Sequence, residues 1–99
     1  MQSIEIVIIE LLWDDWNIEH IARHDVVPDE VELSLTDEHA VFLKAKENRV
    51  MVLGRAGDRL ISTVMNEQAT KGQYYVITAR DMSKKERAFY RAQKGKHDE

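Results

Sequence analysis

His20 and His24 stand one helical turn apart in Trp16-Asn17-Ile18-Glu19-His20-Ile21-Ala22-Arg23-His24. At about 100° per residue, Asn17, His20 and His24 fall within roughly sixty degrees, at one flank of an apolar stripe of Ile18, Ile21 and Ala22. Side chains at such a boundary can point into a cleft. Imidazole exchanges a proton near neutrality, so acid–base work or phosphate contact is one use for the pair. Hydrogen bonding at the edge of the core is the other. Metal chelation is disfavoured, because His-Ile-Ala-Arg-His lacks the glutamate of the zinc-protease pattern and no third ligand is indicated. Arg55 follows Gly54 and Arg80 follows Ala79, each at the end of a strand-like run. A guanidinium is always charged and grips phosphate with two parallel donors. The competing roles are a turn residue for Arg55 and a salt bridge to the acidic N-terminal half for Arg80. Phe89 reads as core, and Tyr90 as core or as a surface for stacking bases.

Nucleophilic chemistry finds no carrier in this chain. There is no cysteine, no Gly-x-Ser-x-Gly, no Gly-rich phosphate loop and no dinucleotide fingerprint. A reaction here would use a nucleophile brought by the substrate, as RNA brings its 2′-hydroxyl. Such cleavage needs placed cations for the phosphorane charge and one or two proton carriers, and in principle neither metal nor cofactor.

Charge is segregated along the chain. Residues 1–40 hold one base, Arg23, against eleven acids, a net of -10, whereas residues 41–99 hold thirteen bases against seven acids, a net of +6. Within 80–96 the net is +5. A surface divided in this way steers partners by local field rather than by total charge. The plainer alternative is a solvated helix of mixed charge. The longest apolar run, Ile6 to Ile9, is too short to span a bilayer, and no basic segment precedes it. Absence of cysteine suits a reducing compartment. The expectation is a soluble, cytoplasmic chain with no membrane partner.

The elements that must position these residues form one α+β domain, residues 1–99. Residues 4–9 are β-branched and read as a strand. Asp14-Asp15 supply cap chemistry for a helix over 14–24, and Pro28 suits the first position of a second over 28–36, with Val31 and Leu35 inward. Four apolar runs follow near 41–43, 50–53, 60–65 and 74–78, separated by short turn signals, which favours an antiparallel meander of about four strands. Ser83-Lys84-Lys85-Glu86 is a capping box opening a helix from Lys84 to about Gln93. Lys84 and Lys85 in its first turn oppose the helix dipole, which suggests that they serve a polyanion. The two N-terminal helices are expected on one face of the sheet and the last helix at its end.

Two motifs carry a family resemblance. Trp13-Asp14-x-Trp16-Asn17-x-x-His20-Ile21-Ala22-Arg23-His24 with Val27-Pro28-x-Glu30-Val31, and later Ala79-Arg80-x-Met82-Ser83-x-x-Glu86-Arg87-x-x-Tyr90, resemble the signatures of BrnT-type toxins over about residues 10–92. The resemblance implies a RelE-like fold and the ribonuclease half of a type II toxin-antitoxin pair. It further implies a cognate antitoxin that binds the toxin and engages operator DNA, so DNA is an indirect partner only. On that reading Arg55, Arg80 and Arg87 hold the phosphate, His24 (or His20) moves the proton, and Lys84 and Lys85, with His20 and Tyr90, contact RNA. Where the family commonly has Lys-His-Gly, this chain has Arg23-His24-Asp25, which alters the helix's final turn. A non-catalytic RelE-like module that binds an antitoxin-like partner is the alternative. A DNA regulator acting alone is a third reading, weakened by the lack of a helix-turn-helix pattern.

Overall fold

Asp14 opens the first helix with its carboxylate. Its Oδ1 accepts the Asn17 amide at 3.0 Å, and Asn17 Oδ1 accepts the Asp14 amide at 2.8 Å. Two donors that a helix start leaves unpaired are thereby satisfied. The computed structural model describes residues 3–97, in which α1 spans Asp15–Ala22 and α2 spans Pro28–Leu35 with proline at its start. α1 ends where the Val26 amide reaches back to the Ile21 carbonyl at 3.2 Å, with Asp25 in the left-handed region at φ 58. That position usually takes glycine, and aspartate is among the few side chains that tolerate it.

The strands are β1 (Glu10–Leu12), β2 (Val41–Lys44), β3 (Arg49–Ala56), β4 (Arg59–Glu67) and β5 (Gln73–Asp81), and α3 (Lys84–His97) follows. They form one sheet in the order β1-β5-β4-β3-β2. β2 to β5 make the expected antiparallel meander, but β1 joins β5 in parallel. The expectation of about four antiparallel strands is therefore corrected: the sheet has five and is mixed.

Residues 4–9 explain the difference. Their alternation is real, with Ile4, Ile6 and Ile8 turned onto Val50, Val52, Met65 and Tyr74 and the residues between them exposed. The segment starts on the outer edge of β2, where the Ile4 amide donates to Phe42 O, and arrives at β5, where Ile9 and Glu10 donate to Gly72 O. It crosses the strands instead of lying along one, so it has a strand's burial pattern without a strand's ladder.

Strand register sorts the core into two faces. Ala56, Ile61, Val76 and Ala79 meet Ile21 and Val26 of the α1 end and Val31 of α2. Met51 and Leu53 point the other way, and with Val41 and Leu43 they pack on Met82, Phe89 and Tyr90. α3 therefore lies across β2 and β3 on the face opposite α1 and α2, rather than at the end of the sheet. The stripe expected on α1 is corrected too: Asn17 and Ile21 are its buried residues, whereas Ile18 and Ala22 are exposed. Asn17 is tolerated inside because its Nδ2 donates to Leu12 O and Val76 O, both at 3.0 Å, which ties α1 to β1 and β5. No helix among the described residues is long and apolar enough to cross a membrane.

α2 reaches β3 closely because residue 54 is glycine. A Cβ there would lie 2.1 Å from the Ser34 carbonyl oxygen, a backbone atom that cannot swing away. Gly54→Ala is expected to destabilise the fold by about 1–3 kcal/mol, the range for overpacking. A thermal melt checks it, and an unchanged midpoint would mean that α2 is free to shift.

Candidate active site

β5 and the capping box of α3 meet at Arg80. Across the β4–β5 register Arg80 sits opposite Ser62. Its Nη1 donates to Glu86 Oε1 at 2.8 Å and its Nη2 to Oε2 at 3.1 Å, and Nη1 also reaches Asp81 O at 3.0 Å. Glu86 in turn accepts the Ser83 amide at 2.8 Å, and Ser83 Oγ accepts the Glu86 amide at 3.2 Å, completing the predicted box. The salt-bridge role weighed for Arg80 thus exists, but its partner is the helix cap and not the N-terminal half. The pair is asymmetric: 8% of the Glu86 side chain is exposed against 41% of Arg80's. The guanidinium is held by a nearly buried carboxylate while a large part of the Arg80 side chain stays in water.

Arg87 lies one carbonyl further on, its Nη1 donating to Met82 O at 2.8 Å. Two guanidinium groups therefore grip the consecutive carbonyls of Asp81 and Met82, where the strand turns into the helix. Lys84 and Lys85 are exposed in the first turn just beyond. The junction gathers four of the predicted site residues, Arg80, Arg87, Lys84 and Lys85.

The backbone of His24 is tied to the end of β5 by a residue whose role the sequence does not announce. Arg59, at the start of β4, donates from Nη2 to His24 O at 3.0 Å and from Nη1 to Asp25 O. It also meets Glu30 of α2 at 3.1 Å and, through Nε, Asp81 at the end of β5 at 2.7 Å. One side chain thus ties the turn after α1 to the strand that carries Arg80. The hydrogen bond to Asp81, set against some burial, raises the Arg59 pKa, so the clamp stays charged. The imidazole of His24 is exposed and set edge-on to His20, whose ring stacks on Trp16.

Arg55 and Tyr90 meet at Asp37. Arg55 lines a depression of about 430 Å³ with Asp37, His39, Gly57 and Lys94, and its amide donates to Asp37 at 2.9 Å. Tyr90 is 2% exposed and donates its hydroxyl to the same Asp37 carboxylate at 2.5 Å. Burial, with Asp37 beside it, pushes the phenol up to about 12. Tyr90 as an RNA contact is corrected: ring and hydroxyl are both occupied inside the fold. No group of three or more His, Cys, Asp or Glu among the described residues is arranged to hold a metal.

An α+β protein with a preorganised cationic corner where its last strand enters its last helix belongs to a class suited to polyanions. Residues 13–86 match the family model described as "Ribonuclease toxin, BrnT, of type II toxin-antitoxin system", and the chain belongs to that family. The family is one of ribonuclease toxins, which implies an RNA substrate and an antitoxin partner. The crystal structure of the Brucella abortus ribonuclease toxin BrnT is similar in fold, with a TM-score of 0.60 at 23% identity over 76% of this chain and 97% of that one. No curated protein matches the chain.

Glu86 gives this corner a pH signature. Burial pushes its carboxyl up, but the bonds from Arg80 and Ser83 and the Arg80 charge outweigh that and hold it below its ordinary 4.5. A depressed carboxylate contributes stability above the unfolded pKa, and that stability is lost as pH falls through the folded value. Denaturant melts should therefore show stability declining once pH drops below about 4.5, the ordinary carboxyl region. Glu86→Gln should flatten that part of the decline; an unaltered profile would place the titration in other carboxylates.

Proposed function

We propose that this chain is an endoribonuclease that cleaves RNA by attack of a 2′-hydroxyl on the adjacent phosphodiester. The oxygen bonds to phosphorus and the 5′-oxygen of the next nucleotide leaves, giving a cyclic phosphate; one proton departs the hydroxyl and one reaches the leaving oxygen. Arg80 and Arg87 would hold the phosphate and stabilise its charge as it becomes pentacoordinate. His24 would carry the proton, and Lys84 and Lys85 would guide the RNA backbone. Arg55 would add a further cation from the neighbouring depression, paired through Leu60 with Met82 just before α3. The observation that carries the reading is the Arg80 side chain, fixed by the Glu86 carboxylate yet 41% exposed at the turn that also holds Arg87, Lys84 and Lys85. A guanidinium held in that way loses little freedom on meeting phosphate. We further read residues 1–99 as a single RelE-like domain acting in the cytoplasm, touching DNA only through its antitoxin complex.

The rival, a non-catalytic module that binds an antitoxin, draws support from the same pair: both terminal nitrogens of Arg80 already have a carboxylate partner. A paired substitution separates the two. Arg80→Ala alone strands a buried carboxylate and should cost stability on the order of 2–3 kcal/mol, below the fully buried range because Arg80 is partly solvated. Arg80→Ala with Glu86→Gln keeps an acceptor for the Ser83 amide and should melt close to the parent. It should still cleave RNA about a hundred- to thousandfold more slowly, the usual loss for one transition-state donor. A double variant that is stable and fully active would remove Arg80 from the chemistry.

Lys84→Ala with Lys85→Ala tests the approach of RNA. Cations that neutralise phosphates release counterions, so binding weakens with salt in proportion to their number. The double variant should show a shallower dependence of affinity on salt. The same slope as the parent would show that these lysines only solvate the helix.

A further inference from the structure

Trp16 has no place in the core. It keeps 58% of its surface in water, although Trp13, three residues earlier, packs against the buried cluster under α1. One face of the indole is covered, since it stacks on His20 with ring centroids 4.9 Å apart and planes 6° from parallel. His24 extends the row, 6.1 Å from His20 and edge-on to it. Rings four residues apart on a helix lie one above another, so the three make a ladder along one flank of α1. Arg23, the one base among the first forty residues, is exposed and falls on the same flank by helical geometry. The acids Asp15 and Glu19 lie further round. The ladder ends at His24, whose carbonyl Arg59 links to Asp81 at the strand–helix junction.

We propose that Trp16, with His20 and His24, is a stacking platform for unpaired bases of a single-stranded RNA whose backbone runs past that junction. The inference rests on the ribonuclease reading for its polyanion, but not for the cleavage step. An indole already stacked on one side has its rotamer fixed, so a base arriving on the open face costs little ordering. Every base has a π-face, so such a platform is tolerant of sequence, and Arg23 adds a cation beside it. A duplex keeps its base faces stacked on one another and cannot use the ladder. Single-stranded RNA is thus the class of substrate that this flank fits.

The test uses the full chain and a single-stranded 2′-O-methyl oligoribonucleotide, which cannot be cleaved by its own 2′-oxygen, with its duplex as control. Binding to the single strand should quench tryptophan fluorescence in the parent. Trp16→Ala should remove most of that quenching and weaken affinity about tenfold, the scale of one stacked base. Trp16→Phe should recover most of the affinity, duplex affinity should not change, and the variants should melt like the parent, as exposed substitutions do. Because no cleavage is needed, these results stand even if the chain is inactive, and a catalytically active chain could still fail them. Equal affinity of parent and Trp16→Ala for the single strand would overturn the proposal, as would an equal loss for the duplex. So would weakened binding of the cognate antitoxin with RNA affinity intact, which would assign the ladder to a protein interface.

Discussion

The Glu86 carboxylate is the group on which this corner of the molecule depends. A carboxylate almost out of water must have its charge and lone pairs met, or the helix carrying it cannot dock. Arg80 meets the charge, and the Ser83 amide meets one oxygen as part of the cap. Docking α3, capping it and fixing Arg80 are therefore one event. The same carboxylate accounts for a local oddity, two lysines in a helix's first turn where the dipole prefers anions. With negative charge buried directly beneath, the turn can display Lys84 and Lys85 outward at smaller cost.

Elements with local causes were legible in the sequence. The Ser83–Glu86 box, the proline opening α2 and the cap at Asp14 each act within four residues, so their residue types announce them. The meander was legible from short apolar runs separated by turns. β1 was misplaced because alternation reports which side chains are buried, and residues 4–9 are buried alternately while crossing the strands. Pattern alone does not tell a strand from a strap.

The candidate site was legible only in part. Arg80, Arg87, Lys84 and Lys85 lie close in sequence and remain close in space. Arg59 was missed because its partners, His24, Asp25, Glu30 and Asp81, are joined to it by tertiary approach, and no spacing encodes that. Asn17 was misread for a related reason. A helical wheel places it at a boundary, but two carbonyls from distant strands make a fully buried position affordable for an amide. Tyr90 was drawn into the site by residue type, whereas its hydroxyl is taken by Asp37 inside the fold.

The charge division along the chain becomes a division between the faces of the sheet. α1 and α2, which carry much of the acidic half, cover one face, while α3 and its bases cover the other. Arg59 is the basic-half residue that reaches into the acidic helices, through Glu30 and the backbone of the turn after α1. The clamp adds to what the turn already has, its backbone bonds to Ile21 and Ala22, the left-handed Asp25 and the buried Val26. Repulsion from the acidic helices and attraction at the α3 junction both favour a polyanion running along the boundary between the faces. Arg59 also binds the His24 carbonyl, which ties the end of α1 to the end of β5. On the proposed ribonuclease reading, the backbone of the proton carrier and the end of the strand that carries Arg80 are held by the same guanidinium.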